Sequence, residues 1–262
     1  MKQVENKNAR IFGLELFGGS QKAWLCEIDK RIRSGKQTAV YTPGAVMLEN
    51  AARDPIFHAV LSRGDILLPD GMGVVAAAKL LGQPICERIA GVDAAKGVIA
   101  LAEKRGWKVF LFGGKKGVAE TAAVRLSERY PALAICGTCH GYLDEAGQRR
   151  LLQNIRRVGA DIVLVCLGSP RQEFWIDGAR ARLGKVKLFM GLGGTLDVFS
   201  GRVKRAPAWV GDMGFEWLWR MAGEPKRFCD LPKIAAFSGR ILAESAMNFV
   251  KMHRWKGCKK PF

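Results

Sequence analysis

From residue 10 to about residue 200, short apolar runs alternate with longer stretches in which apolar residues recur at helical spacing. The short runs predict strands at Arg10–Leu16, Gln37–Thr42, Asp65–Pro69, Trp107–Phe112, Ala132–Gly137, Asp161–Leu167 and Val186–Leu192. The longer stretches, Val118–Tyr130 and Ala146–Val158 among them, predict amphipathic helices. Strands separated by helices require right-handed crossovers. The expected fold is therefore α/β: a mainly parallel, Rossmann-like sheet with helices on both faces.

In such a sheet, ligands bind beyond the carboxyl ends of the strands. Those ends carry polar or glycine-rich turns here: "YTPG", "LPDGMG", "LFGGKKG", "CLGSPRQE" and "GLGGTLD". Glycine lets backbone N–H groups approach a phosphate, and five such turns on one edge point to a nucleotide-sized pocket. No turn matches a P-loop, and none has the dinucleotide fingerprint followed by an acidic residue. Asp70 stands out in "LLPDGMGVVAAAKLLG", between an apolar strand and an alanine-rich helix. Position alone allows two roles, a helix N-cap or a general base.

Beyond Gly201 the pattern changes. Residues 202–262 hold 13 Lys and Arg against 5 Asp and Glu, a net +8, with four of the seven tryptophans. Prolines at 207, 225 and 232 divide this part into short helices before a long one over Lys233–Trp255. The expected organisation is a catalytic domain over 1–201 and a basic, Trp-rich helical appendage over 202–262. Interleaved cations and tryptophans suit a membrane interface or a nucleic-acid groove; otherwise the segment is a helical cap with a solvated basic face. The whole chain carries +18 over 262 residues, which favours phosphate-rich partners.

No run approaches the roughly 20 apolar residues that span a bilayer, and the polar "MKQVENKNAR" start does not read as a signal peptide. Seven cysteines without an export signal fit reduced thiols in the cytoplasm. "CGTCHG" places Cys136, Cys139 and His140 in the haem-attachment spacing. That attachment follows export, and no second Cys/His pair lies at zinc-ligand spacing. Small residues packing at a strand end explain the run better.

Taken in order, "DGMGVV", "ERIAGVD", "FLFGG", "GY", "LGSPRQE", "GLGGTLDVFSG", "RAPAW" and "GFEWLWRMAGEPKRF" resemble the WecG/TagA/CpsF glycosyltransferases, family 26. The resemblance runs from about Thr42 to Arg227. It implies inverting, metal-independent sugar transfer from a UDP donor, with no cofactor. The implied acceptor is N-acetylglucosamine on undecaprenyl diphosphate, and the implied sugar is N-acetylmannosamine or a related hexose, for a teichoic acid or another surface polysaccharide. The chain agrees in lacking any Asp-x-Asp motif. One departure is Gly44, where the family often carries Asn.

Carried over by position, Asp70 is the expected base and Thr42 a sugar contact or a support for that base. Arg88 is expected to pair with a pyrophosphate, the alternative being an ion pair with Glu87 or Asp93. Gln172 is expected to meet sugar hydroxyls. Gly113 and Gly114 would cradle the donor diphosphate, Tyr142 stack on uracil or pack in the core, and Asp197 read the nucleotide. Arg220 and Arg227 are expected to close over the lipid-linked diphosphate. The resulting picture is a peripheral enzyme at the inner, anionic face of the cell membrane, with no nucleic-acid partner; a homo-oligomer is compatible with it. The alternatives are a glucosyl- or hexosyltransferase of exopolysaccharide synthesis and, in another class, a basic RNA-binding protein.

Overall fold

A computed structural model describes residues 8–207, Trp219 and residues 225–257. Six parallel strands form the sheet: β3 (Thr38–Tyr41), β4 (Ile66–Leu67), β5 (Val109–Gly113), β6 (Ile135–Cys139), β7 (Ile162–Cys166) and β8 (Leu188–Gly191). Their spatial order is β4-β3-β8-β7-β5-β6. The chain leaves β3 toward one edge and β5 toward the other, so connections diverge over the centre of the sheet. A ligand crevice belongs at that place.

The strands are apolar on both faces because both faces are covered. Ala39, Tyr41, Phe110, Phe112, Val163, Val165 and Phe189 enter one core. Their neighbours Val40, Val109, Leu111, Ile162, Leu164, Leu188 and Met190 enter the other. The first core is closed by α2 (Ala45–Arg53), α3 (Pro55–Ser62), α4 (Met72–Leu80), α7 (Glu145–Val158) and α8 (Arg171–Arg180). The second is closed by α1 (Gln21–Arg33), α5 (Gly91–Arg105), α6 (Val118–Arg129) and α9 (Thr195–Phe199). The doubly covered α/β sheet expected from the pattern is the one observed.

The first strand departs from expectation. Arg10–Leu16 is a two-stranded antiparallel hairpin, β1 (Ala9–Ile11) and β2 (Leu14–Leu16), separate from the main sheet. Phe12 and Gly13 turn it with φ of 49° and 79°. Such turns normally advertise themselves as Asn-Gly, and phenylalanine at positive φ hides the signal. His58 Nε2 lies 2.9 Å from the Phe12 carbonyl and gives it a partner.

The sixth strand also starts later than expected. Its ladder with β5 slips between Val109↔Ile135 and Phe110↔Gly137, leaving Cys136 as the extra residue of a bulge. Cys136 and Cys139 both pack against the first core, and burial raises both thiol pKa values.

A 3₁₀ turn (Pro225–Asp230) leads into α10 (Leu231–Gly257), close to the long helix expected at Lys233–Trp255. This helix packs on α2 and α4. Phe237 and Ile241 are 3% exposed in the first core, and Phe237 meets Phe12 edge-on at 5.7 Å. Burying two such side chains contributes about 1.5–3 kcal/mol each. Core contacts therefore hold the docked helix. Arg240 adds a bond to Glu49, which is fully buried on α2.

Candidate active site

A cleft of about 530 Å³ opens over the carboxyl ends of β4, β3, β8 and β7. Thr42, Asp70, Arg88 and Gln172 all line it. Residues from four separate parts of the chain are thus brought to one place.

The local backbone explains how Asp70 gets there. The N-cap of α4 is Gly71, not Asp70, and its φ of 109° is open only to glycine. Asp70 therefore precedes the cap, with its backbone N–H tied to Pro43 O at 3.1 Å. A Cβ on Gly44 would come within 3.0 Å of the Asp70 carbonyl oxygen. The glycine that departs from the family pattern thus lets two turns approach closely. Thr42 is 7% exposed and donates its hydroxyl to Gly191 O at 3.1 Å, joining the ends of β3 and β8.

Gln172 is 1% exposed, and both ends of its amide have protein partners. Its oxygen accepts from Gly193 N at 2.8 Å and its nitrogen donates to Glu173 Oε1 at 2.7 Å. The side chain holds the turn after β8. Arg88 lines the cleft, while nearby Glu87 accepts from the Gln21 amide and Asp93 binds Arg205 through both oxygens.

The electrostatics of the cleft favour anions. The first residues of α2, α4, α5 and α8 lie at or beside its wall, and none of these helices is capped by a side chain. By contrast α1, α3 and α7 are capped by Ser20, Asp54 and Asp144. Uncapped N-termini offer N–H donors and positive potential. Lys233 at the start of α10 also lines the cleft, paired loosely with Asp230 at 3.8 Å. Lys233, Asp230 and Asn50 were not found from the sequence. Only the packing of α10 on α2 brings the first two to the cleft, and a lysine in a basic tail carries no local signal.

The remaining candidates lie along the same sheet edge, over β5 and β6. Gly113 has φ 133°, and a Cβ there would sit 2.1 Å from the Cys166 carbonyl oxygen. At Gly114 it would meet Val118 at 2.8 Å. Packing alone demands glycine at both. Tyr142 is 63% exposed, which removes the packed-core alternative. Arg171, also unflagged by the sequence, lies over the Tyr142 ring at 5.8 Å and donates to Gly141 O at 3.1 Å. Since Gly168 and Ser169 line the cleft, the first turn of α8 joins the two halves of the edge. Asp197 follows the Gly193–Gly194 turn on α9, its backbone N–H bonded to Gly194 O. Arg220 lies outside the described residues; Arg227 falls on the 3₁₀ turn, its side chain outside them.

A doubly covered parallel sheet with an acid, two cations and helix N-termini at its carboxyl edge is an arrangement that group-transfer enzymes share with other ligand-binding proteins. The chain belongs to the WecG/TagA/CpsF family of glycosyl transferases, whose model matches residues 9–248. It is 38% identical over 188 residues to the N-acetylglucosaminyldiphosphoundecaprenol N-acetyl-beta-D-mannosaminyltransferase of Bacillus subtilis (strain 168), covering 71% of this chain and 72% of that protein. A protein of the same name from Bacillus spizizenii (strain W23) is 38% identical over 192 residues, covering 73% of this chain and 74% of its own. Among the described residues, no helix is long and apolar enough to cross a membrane.

Proposed function

We propose that this glycosyltransferase moves N-acetylmannosamine from a UDP donor to N-acetylglucosamine carried on undecaprenyl diphosphate, with inversion and without a metal ion. The supporting observation is the meeting of Asp70 with four uncapped helix N-termini, Arg88 and Lys233 around one cleft. Asp70 takes the proton from the acceptor hydroxyl, whose oxygen then bonds to the anomeric carbon. The bond from that carbon to the UDP oxygen breaks, and its electron pair leaves with the diphosphate. Arg88, Lys233 and the helix N-termini meet that charge. Gln172 and Thr42 hold the backbone around the reacting groups. Tyr142 and Arg171 offer a flat cationic shelf for the nucleobase, and Gly113, Gly114 and Asp197 lie beside it.

The decisive experiment is turnover with a panel of UDP-sugars and a lipid-diphosphate-N-acetylglucosamine analogue. Transfer of N-acetylmannosamine above all other sugars is the expected result. Preference for another hexose would move the enzyme to the exopolysaccharide reading, and no transfer with any donor would refute the proposal. The same assay tests the metal. Activity is expected to survive excess EDTA in magnesium-free buffer, whereas a loss restored by magnesium or manganese would show that a cation neutralises the diphosphate.

The proposed place of work is the inner face of the cell membrane. Residues 249–262 contain five Lys and Arg, one Trp and no acid, beyond the Phe237–Ile241 contacts. Each cation near an anionic surface contributes on the order of 1 kcal/mol. Removing 249–262 is therefore expected to release the protein from vesicles rich in anionic lipid while UDP binding persists. Equal flotation of full-length and truncated protein would overturn the membrane placement.

A further inference from the structure

Glu173 is fully buried at the start of α8, one residue after Gln172. Its Oε1 accepts from Gln172 Nε2 at 2.7 Å, and Gln172 Oε1 accepts from Gly193 N at 2.8 Å. Gly193 and Gly194 line the cleft, and Gly193 turns there with φ of 56°. A chain of two hydrogen bonds thus runs from a buried carboxyl to the turn at the cleft wall. A buried acid is costly unless something requires it.

We propose that Glu173 is a positioning residue for sugar transfer: it orients the Gln172 amide, which in turn fixes the Gly193–Gly194 turn against the reacting groups. An amide next to an apolar side chain could rotate its ends, and the oxygen would then leave Gly193. Glu173 prevents the rotation by accepting only from the nitrogen.

The surroundings set the charge state of this residue. Burial, the dominant cause, pushes the Glu173 carboxyl above the usual carboxylate range, against the bonds from Gln172 and Ser169. Tyr41 faces it from β3 with a hydroxyl that is buried and unpartnered, as is Glu173 Oε2. Asp177 and Arg180 on α8 and Arg63 after α3 also act on Tyr41. Arg63 pairs with Asp177 and Arg180 with Asp65, so both guanidinium groups are engaged and neither neutralises Glu173. A carboxyl whose folded pKa is raised is neutral below that value, and the folded arrangement loses stability as pH rises through it.

The test compares Glu173→Gln and Glu173→Leu with the wild type by kcat, by KM and by hydrogen exchange at the Gly191–Thr195 turn. Gln keeps an acceptor for Gln172 and cannot ionise. It is expected to retain kcat within about threefold and to keep the wild-type protection of the turn. Leu is expected to lower kcat about tenfold or more, with a smaller change in donor KM, and to speed exchange at the turn. The proposal rests on the transferase reading, but exchange needs no substrate. A wild type without turnover would refute that reading alone, while exchange would still judge Glu173. Wild-type protection of the turn in Glu173→Leu would overturn the proposal. So would a Glu173→Gln protein with the turn loosened. If the Leu protein does not fold, the Gln variant decides.

Discussion

Replacing Asp70 with Asn is expected to lower transfer by about 10²–10⁴ while UDP binding stays within about threefold of wild type. The amide keeps the size of the carboxylate and some of its hydrogen bonding but cannot take the acceptor proton. A loss of that size corresponds to about 2.7–5.4 kcal/mol of transition-state stabilisation. The fold should persist, because Asn fills the same space as Asp. The N-cap of α4 is Gly71, and the bond to Pro43 O comes from the Asp70 backbone, which the substitution leaves alone. Single-turnover rates with a soluble acceptor analogue, read beside a melting curve, separate the two roles. Turnover within threefold of wild type would leave Asp70 as a turn residue.

Phe237→Ala is expected to cost about 3–5 kcal/mol in urea unfolding, a large share of the stability of an ordinary domain. The ring is 3% exposed, contacts Phe12, and anchors the part of α10 that lies on α2. Loosening α10 displaces Lys233 and Ile234 from the cleft wall, and since Lys233 is proposed to meet the diphosphate charge, kcat should fall. Leu242 on the same helix is 61% exposed, and Leu242→Ala serves as the control with an expected change within about 0.5 kcal/mol. Equal effects of the two substitutions would mean that α10 is not held by its buried face.

The central strands were legible because continuous apolar runs report burial on both faces. Strand ends were less so. Asp65–Pro69 reads as five strand residues, yet the ladder with β3 uses only Ile66 and Leu67. Asp65 instead turns its carboxylate to the Ala39 amide and to Arg180, closing the edge with a side chain. The site divides the same way. Asp70, Thr42, Arg88 and Gln172 could be found because each stands at a strand end or at the entrance to the following helix. Lys233 and Asp230 could not, since their place depends on how a distant helix docks. Glu173 sits in the polar string "SPRQE" and looks solvated, whereas it is fully buried. Only the packing of α8 on β7 and β8 reveals that.

The bond between Glu49 and Arg240 joins positions 191 apart. Synthesis proceeds from the N-terminus, and domains fold as their parts emerge. The six-stranded sheet has all its strands once residue 191 is available. The wall carrying Asp230, Lys233 and Ile234 must wait for Phe237 and Ile241 to find their seat. A nascent chain therefore presents a cleft without the wall of Asp230, Lys233 and Ile234 until residues 231–241 have emerged and docked.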